Sequence, residues 1–173
     1  MMAFRPNIAE AWEANTDELP PSIPSAVRLV RLHVAGDFGG RDGVEASLAY
    51  IRAWRKRLLE APHVTCWGYT RSWVVPRLRR ELNRLRRDVG PRLQLFASVD
   101  RSMRLRPPRG WRVAYESGAA VDGGADCLHD VDGTQCVDCG YCFKPGGNVV
   151  FRAKPATKHN ADGLIRLRAK EKR

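Results

Sequence analysis

No stretch of about 18 apolar residues occurs in the chain, which leaves no candidate for a membrane-spanning helix. The opening residues, MMAFRPNIAEAWEANTDELPPSIPS, lack the charged-then-apolar pattern of a secretory signal. The expected setting is therefore the cytoplasm, a reducing compartment, with no membrane partner. No internal repeat of fixed period is present, and lysine is scarce beside arginine. Cysteine is also scarce until late in the chain. Cys66 stands alone in an apolar run, and then Cys127, Cys136, Cys139 and Cys142 fall within sixteen positions. In a reducing compartment such a cluster points to metal ligands or redox groups rather than disulfides.

What is present suffices for one ordinary domain, with 43% hydrophobic residues among 173. The net charge of +11 is carried mainly by arginine. Guanidinium groups suit two-pronged contacts to phosphate, and excess positive charge favours polyanions through counterion release. The plainer reading of the same charge is a set of solvated helix faces.

Residues 1–25 hold Pro6, Pro20, Pro21 and Pro24 and read as an arm with a short helix around Ile8–Ala14. Residues 26–117 read as an α/β core. Val27 to Val34 predicts a strand running into the glycine-rich turn that contains Gly36, Asp37, Gly39 and Gly40. Val44 to Glu60 predicts a helix, because Val44, Leu48, Ile51 and Leu58 recur at helical spacing. His63 to Tyr69 predicts a second strand. A second helix should run from an N-cap at Ser72 to about Asp88, with Pro76 in its first turn. Its buried stripe is Leu78, Leu82, Leu85 and Val89, while Arg77, Arg80, Arg84 and Arg87 line another face. Leu93–Val99 and Trp111–Glu116 predict two further strands. Residues 118–147 form a cysteine-rich segment without periodicity, 148–156 a closing strand and 157–173 a basic tail.

Strand, helix, strand, helix, strand implies parallel strands joined by crossover helices on one side of the sheet. The expected architecture is α/β, either part of a (β/α) barrel or a small open parallel sheet, followed by a cysteine-rich metal loop. Ligands gather at the carboxyl ends of strands in such folds. That is where His33, Asp37, Tyr69, Thr70, Arg71, Ser98 and Asp100 fall. His33, Asp37, Arg71 and Asp100 are therefore candidate catalytic residues, for proton handling and for holding an anion. Each has a plainer alternative. His33 can hydrogen-bond backbone, Asp37 can form its turn, and Arg71 can make a supporting ion pair. Cys66, Trp67 and Trp73 are expected to pack in the core.

The cysteine pattern is C-x8-C-x2-C-x2-C. Two residues between ligands let one turn of chain aim both sulfurs at a shared centre, and Gly133, Gly140, Gly146 and Gly147 supply tight turns. Four thiolates satisfy tetrahedral Zn2+ or a [4Fe–4S] cluster equally. The alternatives are free thiols, a disulfide pair, or His129 in place of one cysteine.

R-L-H-V-A-G-D-F (31–38), W-G-Y-T-R-S-W (67–73), L-F-A-S-V-D (95–100) and C-x2-C-G-x-C-F (136–143), in this order and spacing, resemble the phage "gene product 88-like" family across roughly residues 27–152. The resemblance implies an origin in bacteriophages or related mobile elements more firmly than it implies a reaction. Its recurring positions are His33, Gly36, Asp37, Tyr69, Thr70, Arg71, Ser72, Ser98, Asp100 and the four late cysteines. Members usually begin with a further cysteine-bearing segment, so this chain is expected to be a shortened form. Two functions are then expected to compete. One is a metal-containing enzyme acting on a nucleotide or nucleic acid by base modification or exchange. The other is a non-catalytic protein that binds nucleic acid or a host factor through Arg77, Arg80, Arg84 and Arg87, with a structural metal.

Overall fold

The computed structural model describes residues 20, 22–33, 37–39, 43–116 and 123–152. The expected arm helix, Gly36, most of the first glycine-rich turn and the basic tail lie outside the described residues.

The first strand, β1 (Leu29–Leu32), is followed by helix α1 (Gly43–Glu60), strand β2 (Thr65–Thr70), helix α2 (Pro76–Val89), β3 (Leu93–Val99) and β4 (Arg112–Glu116). Next come β5 (Gly124–Asp126), two short helices α3 (Leu128–Asp132) and α4 (Cys136–Cys139), and β6 (Asn148–Phe151). The six strands form one sheet in the order β1-β2-β3-β4-β6-β5, and every pairing is parallel. With β1 and β5 as edges, the described sheet is open.

Side-chain alternation sorts the sheet into two faces. Val30 and Leu32 of β1, Cys66 of β2, and Leu93, Leu95 and Ala97 of β3 join the main core. The same core takes Leu48, Ile51 and Leu58 from α1, and Leu78, Leu82, Leu85 and Val89 from α2. The two helices also pack on each other, as expected for crossovers on one side. The opposite face is built on Phe96, Ala114 and Val149 and is covered by Cys127, Tyr141 and Cys142. The molecule therefore has three layers: helices, sheet and cysteine segment.

The core itself follows the sequence closely. Cys66 is buried, and burial pushes its thiol pKa up to about 12, which keeps it an inert packing residue. Trp73 is buried and its indole N–H donates to the Ser98 carbonyl at 3.1 Å. Trp67 packs on Phe143 with ring centroids 5.2 Å apart. Gly68 packs tightly against β1. A Cβ there would lie 3.0 Å from Leu32 Cβ and 3.1 Å from the Leu32 carbonyl oxygen.

Two expectations need correction. Ser72 does not cap α2. A 3-10 turn (Ser72–Val74) intervenes, and Val75 occupies the cap position without a side-chain bond, with Pro76 opening the helix. Ser72 is buried instead, because its hydroxyl is used elsewhere. The cysteine segment is not featureless either. A three-residue strand and two single-turn helices organise it, each helix closed by a left-handed glycine, Gly133 or Gly140. Elements this short leave no hydrophobic period to read.

Candidate functional site

Parallel strands bring their carboxyl ends to one edge of the sheet, and a crevice of about 490 Å³ opens there. Its walls include Arg31, His33, Asp37, Tyr69, Arg71 and Glu116. Three of the four candidate catalytic residues thus share one crevice. Asp100 does not line it, but its carboxylate pairs with the Arg71 guanidinium and so reaches it indirectly. Asp100 also accepts from Ser102 N–H at 2.8 Å and Ser102 Oγ at 2.6 Å. These Ser102 bonds, with Arg71, hold its pKa below the usual carboxylate range.

Asp37 is the most heavily bonded group in this crevice. Its Oδ1 accepts from Phe38 N–H (2.6 Å), Ser72 Oγ (2.8 Å) and Thr70 Oγ1, and its Oδ2 from Arg71 N–H (2.5 Å) and Ser72 N–H (3.2 Å). Ser72 Oγ in turn accepts from Gly39 N–H at 2.7 Å. The carboxylate ties the turn after β1 to the turn after β2. With five donors on two oxygens, the carboxylate is committed to holding the two turns together, so this geometry fits a positioning role.

His33 is different. Its φ of 53° is left-handed, which is uncommon outside glycine. Alternation would place it beside Arg31, on the face away from the helices. The positive φ instead turns its ring onto Phe38, with centroids 4.4 Å apart, and toward Tyr50 and Trp54 of α1. Its Nε2 is buried without a hydrogen-bond partner among the described residues. Burial lowers the imidazole pKa to about 4, against the opposing pull of the Asp37 carboxylate. The ring is therefore neutral at pH 7 and able to accept or donate one hydrogen bond.

On the sheet face away from the helices, a second cavity of about 400 Å³ adjoins this crevice. Cys127, Cys136, Cys139 and Cys142 all line it. All four thiols are reduced and partly buried. Burial raises the thiol pKa of both Cys127 and Cys142. The Tyr69 hydroxyl faces the Cys142 sulfur, and burial together with that sulfur raises the tyrosine pKa strongly. Among the described residues, no three Cys, His, Asp or Glu groups stand close enough to grip a single metal ion as they are placed. A tetrahedral zinc with bonds of about 2.3 Å needs its sulfurs about 3.8 Å apart. The four thiols lining one cavity form a donor set that suits a thiolate centre. His129 also lines this cavity.

Arg112, absent from the sequence-based candidates, holds the cysteine segment in place. From the start of β4 its guanidinium donates to the carbonyls of Tyr141 (3.3 Å), Cys142 (3.3 Å), Lys144 (2.6 Å) and Gly147 (2.8 Å), and to Gln94 Oε1 (3.2 Å). It also stacks over Phe96, 4.2 Å from the ring centroid. The second omission is Arg31, which lines both cavities together with Tyr69 and Phe151. Alternation could have exposed it: with Val30 and Leu32 facing the helices, Arg31 must face away.

The proposed basic face of α2 is less free than its spacing suggests. Arg77 pairs with Glu45 at 2.6 Å, Arg84 with the buried Glu81 at 3.1 Å, and Arg87 with Asp88 at 3.3 Å. Arg52 and Arg55 of α1 reach the same two acids, Glu81 and Asp88. Only Arg80 of the four nominated arginines has no acidic partner among the described residues.

No protein family, curated protein or solved structure matches the chain. No helix among the described residues is long and apolar enough to cross a membrane.

Proposed function

We propose that the chain is a phage-type metalloprotein, resembling the "gene product 88-like" family, that acts on a nucleotide or nucleic acid by base modification or exchange. Its metal centre would sit on Cys127, Cys136, Cys139 and Cys142. The observation that carries this reading is the shared wall. The cavity lined by four cysteines and the crevice at the strand ends have Arg31, Tyr69 and Phe151 in common. A metal centre and a ligand held in the crevice would be near neighbours.

The roles follow from the geometry. Arg31 and Arg71 hold an anionic group on the ligand. His33, neutral at pH 7, can take or give a proton. Asp37 fixes the backbone at both turns, and Asp100 aims Arg71. When bound, a thiolate-ligated centre supplies either a structural staple or an electron-transfer site. The four-thiolate donor set suits either candidate centre, [4Fe–4S] or Zn2+.

The competing reading is a non-catalytic binder of nucleic acid or a host factor that uses the Arg77–Arg87 face. It is weakened by the carboxylates that already engage three of its four guanidiniums.

Anaerobic purification with metal analysis and an absorption spectrum tests the metal. The expected result is a brown protein with about four irons per chain on the cubane assignment, lost in Cys136→Ser and Cys139→Ser. A colourless protein with one zinc, lost in the same variants, would retain the site and change the metal. A chain that binds neither, with all variants behaving like the wild type, defeats the proposal.

A further inference from the structure

Five buried side-chain nitrogens lack a hydrogen-bond partner among the described residues. Two of them, Arg31 Nε and His33 Nε2, belong to residues lining the same crevice. A buried polar group without a partner costs free energy, and a desolvated cation costs more. Among the described residues, the Arg31 guanidinium meets the Tyr69 ring, 5.4 Å from its centroid. Both residues line one crevice, and a ligand reaching these buried nitrogens would supply the partners they lack.

We propose that this ligand is a nucleoside monophosphate whose phosphate is gripped by Arg31. The inference deepens the functional reading above and rests on its crevice, though not on its metal. A guanidinium offers Nε–H and Nη–H in a planar fork that matches two phosphate oxygens. His33 adds a neutral hydrogen bond without competing charge. Arg71 adds a second guanidinium, exposed enough to turn from Asp100 toward a dianion. Two carboxylates also line the crevice, and neither defeats an anion. Asp37 is already compensated by five donors. Glu116 is exposed, where water screens its charge.

The other walls suit a base. Tyr69, Tyr115 and Phe151 present aromatic surface to the crevice, and any nucleobase has a face to stack on it. The volume of about 490 Å³ falls within the range of small-ligand sites.

Calorimetric titration of the full chain with AMP and with adenosine tests the assignment, alongside Arg31→Met, Arg31→Lys and the control Arg109→Met on an exposed turn. The wild type and Arg109→Met should bind AMP at least about tenfold more tightly than adenosine. Arg31→Met should erase that difference while leaving adenosine binding unchanged. Arg31→Lys keeps the charge without the fork and should recover only part of it, which covers the case in which the methionine variant does not fold. Equal affinity for AMP and adenosine in the wild type, or no binding of AMP, overturns the proposal. So does tight binding of a 5′-phosphorylated oligonucleotide alone. Metal content measured on the same samples separates this failure from failure of the metal reading.

Discussion

His33 and Asp37 look alike from the sequence, as two polar residues at the end of one strand, but they are held by opposite means. Asp37 is saturated with donors within a knot of backbone. His33 is walled by aromatic rings and stays neutral. Its folded pKa of about 4 lies below the ordinary imidazole value of 6.5. The folded state therefore disfavours the protonated ring. The stability this contributes is full above pH 6.5 and is lost as pH falls toward 4. Denaturation midpoints should fall across that window in the wild type. They should fall less in His33→Asn, whose short amide tolerates the left-handed backbone at this position. Parallel pH profiles for the two proteins would show that the ring is not desolvated as described. Neither environment could be read from the sequence. The five donors to Asp37 come from positions up to 35 apart, and two of the three rings around His33 lie on a helix beyond the next turn.

At the scale of elements, the β–α–β–α–β core was legible because its signals are long. Leu93–Val99 is found as expected, and the stripe of Leu78, Leu82, Leu85 and Val89 is buried along α2. The cysteine segment was legible as a cluster of ligand-type residues but not as structure. Its elements are three to five residues long, and their anchor, Arg112, comes from another part of the chain. That anchor is testable. Arg112→Met leaves four carbonyls of residues 141–147 without their donor. Hydrogen bonds from a charged donor contribute roughly 1.5–3 kcal/mol each but overlap within one group, so a loss on the order of 3 kcal/mol is expected. Limited proteolysis should cut the variant first between Tyr141 and Gly147, with the α/β core intact. Unchanged unfolding and an unchanged cleavage pattern would contradict the anchoring role. Arg112→Lys should recover little, because an ammonium cannot reach five acceptors spread over the turn.

Over the whole molecule, the charge of +11 describes the surface less well than it first suggests. Arginines of α1 and α2 are largely spent on Glu45, Glu60, Glu81 and Asp88, which lace the helix layer together. The positive group with the fewest commitments on the functional side is Arg31, where the helix-free face of the sheet meets its carboxyl edge. At that point the two cavities become neighbours, and the account depends on their adjacency. The most direct test is to follow the visible spectrum of the thiolate centre, as isolated if it holds iron or exchanged to cobalt if it holds zinc, while AMP is added. The account predicts a saturable spectral change in the wild type with the same midpoint as calorimetry, shifted in Arg31→Met to the weaker midpoint of adenosine. AMP binding that leaves the spectrum of a fully loaded protein unmoved would contradict the shared wall.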